Sequence, residues 1–163
     1  MLKNISKLKM LLMDIDGVMT DGSITYFGDT EVKTFSAYDG LGIKLAQKNG
    51  LICGVISGRS SKANEKRMSE LKIKIIYQSF DDKIDAYEEI KKKFKLKDEQ
   101  IAYIGDDLND LPVLKKAGVS FTVKNAVNEV KNNVDYISRK EGGKGAVREI
   151  IEFIFKKQNK KFI

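Results

Sequence analysis

Asp14 and Asp16 stand two residues apart after the apolar run Leu11-Leu12-Met13, and Asp106, Asp107 and Asp110 follow a second run, Ile101-Ala102-Tyr103-Ile104. In an extended chain residues i and i+2 point to the same side. Two carboxylates placed so repel each other unless a cation or a proton intervenes. Ser57-Gly58-Arg59 follows a third apolar run, and Lys83 follows Asp81-Asp82. A hydroxyl and backbone N–H groups at a strand-to-helix turn can cradle phosphate, and a fixed lysine can neutralise it. Taken together, these groups describe a site for a phosphoryl group and a divalent cation. Each piece alone has a plainer reading. Asp14 and Asp16 fit turn formers after a strand. Asp106, Asp107 and Asp110 fit acids complementing a helix dipole. Ser57-Gly58-Arg59 fits an ordinary turn, and Lys83 a solvated lysine. Two acidic strand ends in one small domain weigh against the plainer set.

Short apolar runs alternating with amphipathic stretches must position these groups. Strands are expected at Lys9–Met13, Leu51–Ile56, Lys74–Tyr77, Ile101–Ile104, Val119–Val123 and Tyr136–Ile137, the continuous apolar runs of a buried parallel sheet. Helices are expected at Leu41–Asn49 with Gly50 closing it, at Ser60–Leu71 capped by Ser60 or Ser61, and at Asp82–Phe94. Two more are expected, one up to about Lys116 with Pro112 early in it and one over Gly145–Lys157. Ser23–Phe27 and Glu31–Phe35 flank Gly28-Asp29-Thr30 and read as a β-hairpin within an insert over about 22–36. The fold class is α/β: a three-layer, doubly wound, mostly parallel sheet with one inserted hairpin. In such sheets ligands lie beyond the carboxyl ends of the strands, at the topological switch point.

Length and composition narrow the chemistry. The 163 residues form one expected domain, 1–163, with a flexible basic tail over about 157–163. The sequence contains no histidine, which removes histidine acid–base catalysis, histidine metal ligation and Ser-His-Asp triads. A metal site must then use oxygen ligands, which favours Mg²⁺, Mn²⁺ or Ca²⁺. The single Cys53 reads as a small core residue. No apolar run reaches the roughly 18 residues a membrane span needs. Lys9 and Asp14 interrupt any signal-like core behind the basic, apolar start Met1–Leu8, so the cytoplasm is the expected location. The net charge of +7 is spread over lysines with no interleaved aromatics, so it reads as solvated helix faces rather than a nucleic-acid platform. Gly142-Gly143-Lys144-Gly145 lacks P-loop spacing and reads as a loop before a helix.

The four motifs, in their order, resemble the haloacid dehalogenase superfamily of phosphohydrolases over about Lys9 to Ile154. With the hairpin, Asp39-Gly-Leu-Gly-Ile43 and Gly142-Gly-Lys-Gly-Ala-Val-Arg-Glu149 added, the pattern is similar to the 3-deoxy-D-manno-octulosonate 8-phosphate phosphatases. That resemblance implies a capless, Mg²⁺-dependent homotetramer of lipopolysaccharide precursor synthesis, with hairpins helping to build the assembly and cover a neighbouring site. It implies a small-molecule sugar-acid phosphate as substrate, with no nucleic-acid or membrane partner. Asp14 is then the nucleophile and Asp16 the acid and base. Mg²⁺ lies between the Asp14 side chain, the Asp16 backbone carbonyl and Asp106. Ser57 and Lys83 hold the phosphoryl oxygens. The sugar-contacting segment falls on Ser36, Ala37, Tyr38, Asp39 and Gly40, with cationic contacts from Lys44, Arg59 and Arg67. Related enzymes act on nine-carbon sialic-type sugar phosphates, which is the alternative substrate class. A phospho-acceptor signalling domain fits less well, because its acceptor stands on a later strand and not in an Asp-x-Asp on the first.

Overall fold

A computed structural model describes residues 4–80 and 82–162; Met1–Lys3, Asp81 and Ile163 lie outside the described residues, and with them parts of the basic N-terminal and C-terminal segments. The strands are β1 (Met10–Met13), β2 (Thr25–Phe27), β3 (Thr30–Val32), β4 (Ile52–Ser57), β5 (Ile75–Gln78), β6 (Ile101–Ile104), β7 (Val119–Thr122) and β8 (Tyr136–Ile137). The helices are α1 (Ala37–Lys48), α2 (Lys62–Glu70), α3 (Lys83–Phe94), α4 (Leu111–Lys116), α5 (Asn128–Lys131) and α6 (Ala146–Lys157).

The main sheet has the order β5-β4-β1-β6-β7-β8, and every pairing in it is parallel. From β1 the chain winds outward through β4 to β5, then α3 carries it back across to β6, and β7 and β8 wind outward the other way. Right-handed crossovers put helices on both faces under that order. In accord, α1 packs on α6, and α3 on α4. β1 and β6 are covered on both faces, so all four residues of each are buried. The order reverses between them, and the acidic segments Asp14–Asp16 and Asp106–Asp110 leave their carboxyl ends. Among the described residues the insertion between β1 and α1 holds only the antiparallel hairpin β2–β3, and no cap domain.

Local chemistry sets the helix starts. α1 begins four residues before the expected Leu41, because the Ser36 hydroxyl accepts a hydrogen bond from the Asp39 N–H at 3.3 Å and caps it. Gly40 and Gly42, which weaken the helical pattern in the sequence, are where Arg67 and Arg148 pack close. Of the two candidate caps for α2, Ser61 is used, accepting from Asn64 N–H at 3.1 Å. Asp82 caps α3 and makes Lys83 its first residue. The short α5 carries no capping side chain and was not anticipated. Cys53 is buried in the core.

Candidate active site

Asp14, Asp16, Gly22, Ser57, Gly58, Arg59, Lys83, Asp106, Asp107 and Asn109 line one cleft of about 230 Å³ at the switch point. The four separate sequence pieces therefore meet. The Asp14 N–H donates to Ile104 O at 2.9 Å, which extends the β1–β6 ladder by one residue and fixes Asp14 beside Asp106. The next residues curl into a turn, with Met19 and Thr20 N–H groups both donating to Ile15 O. Gly17 sits in this turn at φ +91°, a conformation that favours glycine. A Cβ there would collide with the Asp106 carboxyl, so glycine also makes the space in which the two acids approach.

Lys83 is buried and bridges two carboxylates, Asp14 Oδ2 at 2.9 Å and Asp110 Oδ1 at 2.7 Å. Asp110 was one of the clustered acids of the sequence motif but was given no individual role there. It also accepts from Tyr103 OH at 2.6 Å, Asp106 N–H at 2.9 Å and Asp107 N–H at 3.2 Å. Its oxygens are thus occupied by protein donors, and its work is to hold Lys83 and the Gly105–Asp110 turn. Asp14, Asp106 and Asp110 each place a carboxylate oxygen within 4.8 Å of the others. Of the three, Asp106 keeps a buried oxygen, Oδ1, with no hydrogen-bond partner. Asp14 accepts at Oδ1 from its neighbour Ile15 N–H, 2.6 Å away.

Electrostatics point the same way. Burial, then the charge of Asp110, push the Asp14 carboxyl up to about 7 against the pull of Lys83. Burial, then the charges of Asp14 and Asp110, push Asp106 up to about 8. Burial disfavours the charge on Lys83, but Asp14 and Asp110 outweigh it and hold the ammonium above the ordinary lysine range. Crowded, partly neutralised carboxyls beside an unpartnered oxygen are what an added hard cation relieves. The donor set Asp14 and Asp106, all oxygen, suits Mg²⁺.

Ser57 closes β4 with its hydroxyl buried in the cleft wall, accepting from Arg59 N–H at 3.2 Å. Asp16 faces the cleft, but its carboxylate is turned away from the three clustered acids toward Lys33 of the hairpin, at 2.6 and 2.8 Å. The side chain of Asp16 is therefore not one of the clustered oxygens, which leaves its backbone carbonyl as the group the resemblance assigned to the cation. Arg59 lies 4.0 Å from Asp16 and donates to Glu31 at 2.5 Å.

The other residues assigned to the sugar fall outside the cleft. Asp39 is buried between α1 and α6, where it accepts from Arg148 N–H at 2.8 Å and Gly145 N–H at 3.3 Å. Its carboxyl, raised by burial, caps α6 and does not reach the cleft. Arg67 donates to Ser36 O at 3.0 Å and lies over the Phe35 ring, fastening the base of the hairpin to α2. Gly40 packs on that guanidinium. Ser36 is the α1 cap, while Ala37 and Tyr38 are exposed on its first turn. Lys44 lies exposed along α1, beside a depression lined by Gln47, Lys48, Leu71 and Lys72. Within one chain none of these residues lines the cleft. The Gly142–Gly143 loop packs on the backbone of Gly17 and Thr20, buttressing the Asp14–Gly22 turn. Lys33 and Asn109 are the site residues that were assigned no role in the sequence, and Asp110, read there as one of the clustered acids, was not assigned its task of holding Lys83. For Asp110 and Asn109 the signal was the polar run from Gly105; for Lys33 it was the alternation Glu31, Lys33, Phe35.

The haloacid dehalogenase-like hydrolase family matches residues 75–151. The 3-deoxy-D-manno-octulosonate 8-phosphate phosphatase of Escherichia coli K12 is 37% identical over 155 residues, covering 94% of this chain and 82% of that protein. The crystal structure of the enzyme of that name from Moraxella catarrhalis, in complex with magnesium ion, phosphate ion and KDO, superposes with a TM-score of 0.94 at 41% identity, covering 97% of this chain and 91% of that one. A cobalt-bound phosphatase structure from Haemophilus influenzae gives 0.93 at 38% identity, covering 96% and 92%.

Proposed function

The chain belongs to the haloacid dehalogenase-like hydrolases and, within them, to the 3-deoxy-D-manno-octulosonate 8-phosphate phosphatase family, and we propose that it hydrolyses that sugar-acid phosphate to the free sugar acid and phosphate. The observation that carries this reading is the convergence of Asp14, Ser57, Lys83 and Asp106 in one cleft, with the unpartnered Asp106 oxygen beside Asp14.

Asp14 attacks phosphorus and forms an aspartyl phosphate. Asp16, on the open side of the cleft, gives a proton to the departing sugar oxygen. It then takes one from the water that cleaves the acyl phosphate. The Ser57 hydroxyl and the following backbone N–H groups hold phosphoryl oxygens, and Lys83 supplies a fixed positive charge beside Asp14. The Asp14 and Asp106 carboxylates and the Asp16 backbone carbonyl would hold Mg²⁺, which would supply the charge that lets two carboxylates face a phosphate dianion. Asp110, by holding Lys83 and the Asp106 and Asp107 N–H groups, keeps this arrangement rigid. Lys83 thus loses little freedom as phosphate binds.

We further read the chain as one cytoplasmic phosphatase domain that assembles as a homotetramer and contributes to lipopolysaccharide precursor synthesis. Ile24, Tyr26, Phe27 and Val32 of the hairpin are exposed, and a two-stranded hairpin alone is marginal in water. Pairing hairpins between copies would cover these side chains and bring the exposed Tyr38 and Lys44 surface near a neighbour. Light scattering that reports a monomer at micromolar concentration contradicts the assembly.

A phosphate-release screen over sugar phosphates, with Mg²⁺ and with chelator, tests the activity. The eight-carbon sugar-acid phosphate should be turned over best, and only with metal. Faster release from a nine-carbon sugar-acid phosphate would move the substrate to the sialic-type class. No release from any ester would overturn the reading.

A further inference from the structure

Lys33 is an unusual residue for its position. The hairpin is exposed along most of its length, yet the Lys33 side chain retains only 2% of its accessible surface. Residues 31, 33 and 35 alternate inward while 30, 32 and 34 face water, the period-two arrangement of a strand. A strand that docks on a domain ordinarily turns apolar residues inward. Here the two inward side chains nearest the cleft are Glu31 and Lys33. Burying an ammonium is unfavourable unless it is fully paired. Lys33 meets that condition with two acids, Asp16 at 2.6 and 2.8 Å and Glu31 at 3.2 Å. Glu31 in turn accepts from Arg59 on the opposite lip of the cleft.

The contact with Asp16 has a defined shape. Nζ lies astride both carboxylate oxygens. An aspartate at a cleft mouth is otherwise free to rotate about its two side-chain torsions, and proton transfer in the transition state requires the donor oxygen within hydrogen-bond reach of the leaving atom. The charge and the position of Lys33 together remove that freedom.

We propose that Lys33 is a positioning residue for the reaction: brought by the hairpin against Asp16 at the cleft edge, it fixes the plane of the Asp16 carboxyl for proton transfer to the leaving group. This rests on the phosphatase reading given above. It gives the hairpin a role inside its own chain's site, separate from assembly. Glu31 holds Lys33 in register and ties it to Arg59, so the hairpin is clasped across the cleft by charge.

The consequence is a dependence on the leaving group. An ester whose leaving oxygen is basic needs the proton from Asp16; one whose leaving oxygen is weakly basic does not. Phenyl phosphate and 4-nitrophenyl phosphate have similar shape and make no sugar contacts, so they isolate this effect. Purified full-length protein with Mg²⁺ should be assayed as wild type, Lys33→Met, Lys33→Arg, Asp16→Asn and the Lys33→Met/Asp16→Asn double variant. Because Asp16 also serves the later hydrolysis of the aspartyl phosphate, which both esters share, the readout is kcat/KM, which reports only steps through leaving-group release. Lys33→Met should lower kcat/KM on phenyl phosphate by about tenfold or more, within the range general acid catalysis supplies. Its kcat/KM on 4-nitrophenyl phosphate should stay within about threefold, and Lys33→Arg should recover much of the phenyl phosphate value. In the Asp16→Asn background, Lys33→Met should add little, because residues that act as a unit are non-additive. Equal losses on both esters, or losses that multiply in the double variant, overturn the inference and leave Lys33 as an anchor of the hairpin. That outcome leaves the phosphatase reading intact, whereas no turnover of either ester by the wild-type protein overturns both.

Discussion

Two ion-pair clusters meet at the same cleft, and they differ most in the exposure of the Arg59 end. At the floor, Lys83, Asp14, Asp110 and Tyr103 are nearly or wholly removed from water. At the mouth, Lys33 and Glu31 of the hairpin meet Asp16 and Arg59, and the Arg59 side chain is 46% exposed. Both clusters pair a lysine with two carboxylates, but the physics differs. In the floor the field of each charge is weakly screened, so burial and neighbouring acids lift Asp14 to about 7 and Asp106 to about 8. At the mouth Lys33 is as buried as Lys83, but Arg59 is half-exposed, so water screens its pairs, and its hydrogen bond holds Glu31 below the usual carboxylate range. A buried cluster suits the reacting phosphoryl group, which needs a fixed field. A partly wet one suits the leaving group and sugar, which must enter and depart.

Substitutions can break that contrast. The largest effect belongs to the floor. Asp14→Asn should reduce turnover by at least about a thousandfold, as loss of a nucleophile does, with little change in melting temperature. Turnover within tenfold of wild type would remove Asp14 from the chemistry.

Lys83→Met should come next, now on stability. It leaves Asp14 and Asp110 without their shared cation in a dry site, a loss of about 3 kcal/mol, read as a lower denaturant midpoint at unchanged slope. A neutral result would mean that water enters the floor as it does the mouth.

The same floor should make metal-free stability depend on pH. Asp14 and Asp106 are raised from 3.8 to about 7 and about 8, so folding favours their protonated forms. Their contribution is complete below pH 3.8 and is lost as the pH rises through about 7 and 8. Melting temperature in chelator should therefore fall over that range, and Mg²⁺ should flatten the fall. A metal-free protein that gains stability from pH 5 to 8 would contradict the electrostatic account.

The mouth should yield the smallest effect. Arg59→Ala should change stability by less than about 1 kcal/mol, as an exposed pair does. That small change should shrink further at high salt. A loss as large as that of Lys83→Met would erase the distinction between the two clusters.

The floor was legible in the sequence because its residues sit at fixed places on regular elements. Asp14, Ser57 and Asp106 stand at the ends of β1, β4 and β6, and Lys83 opens α3; parallel-sheet topology brings strand ends together whatever the intervening lengths. The helix starts were less legible. The early start of α1 rests on one Ser36 hydroxyl, in a segment whose glycines weaken the periodic signal. The mouth was the least legible. Arg59 was expected to contact substrate, but its clasp with Glu31 depends on how the hairpin folds over the cleft, and no spacing encodes that. Lys33 was not singled out in the sequence, where only the alternation Glu31, Lys33, Phe35 hinted at an inward face, and its burial shows its place. Asp39 and Arg67 carry the residue types of a binding site, yet the α6 cap and the base of the hairpin use them. Those are tertiary partners far away in sequence.

The central claim is that Asp14 is the atom donor to phosphorus in a two-step hydrolysis. Rapid acid quench of the Mg²⁺-loaded protein during turnover of the phosphate-labelled eight-carbon sugar-acid ester, followed by peptide mapping, tests it directly. The label should be found on Asp14 and should be absent from Asp14→Asn. Label on another residue, or turnover at the wild-type rate with no covalent label in the burst phase, would contradict it.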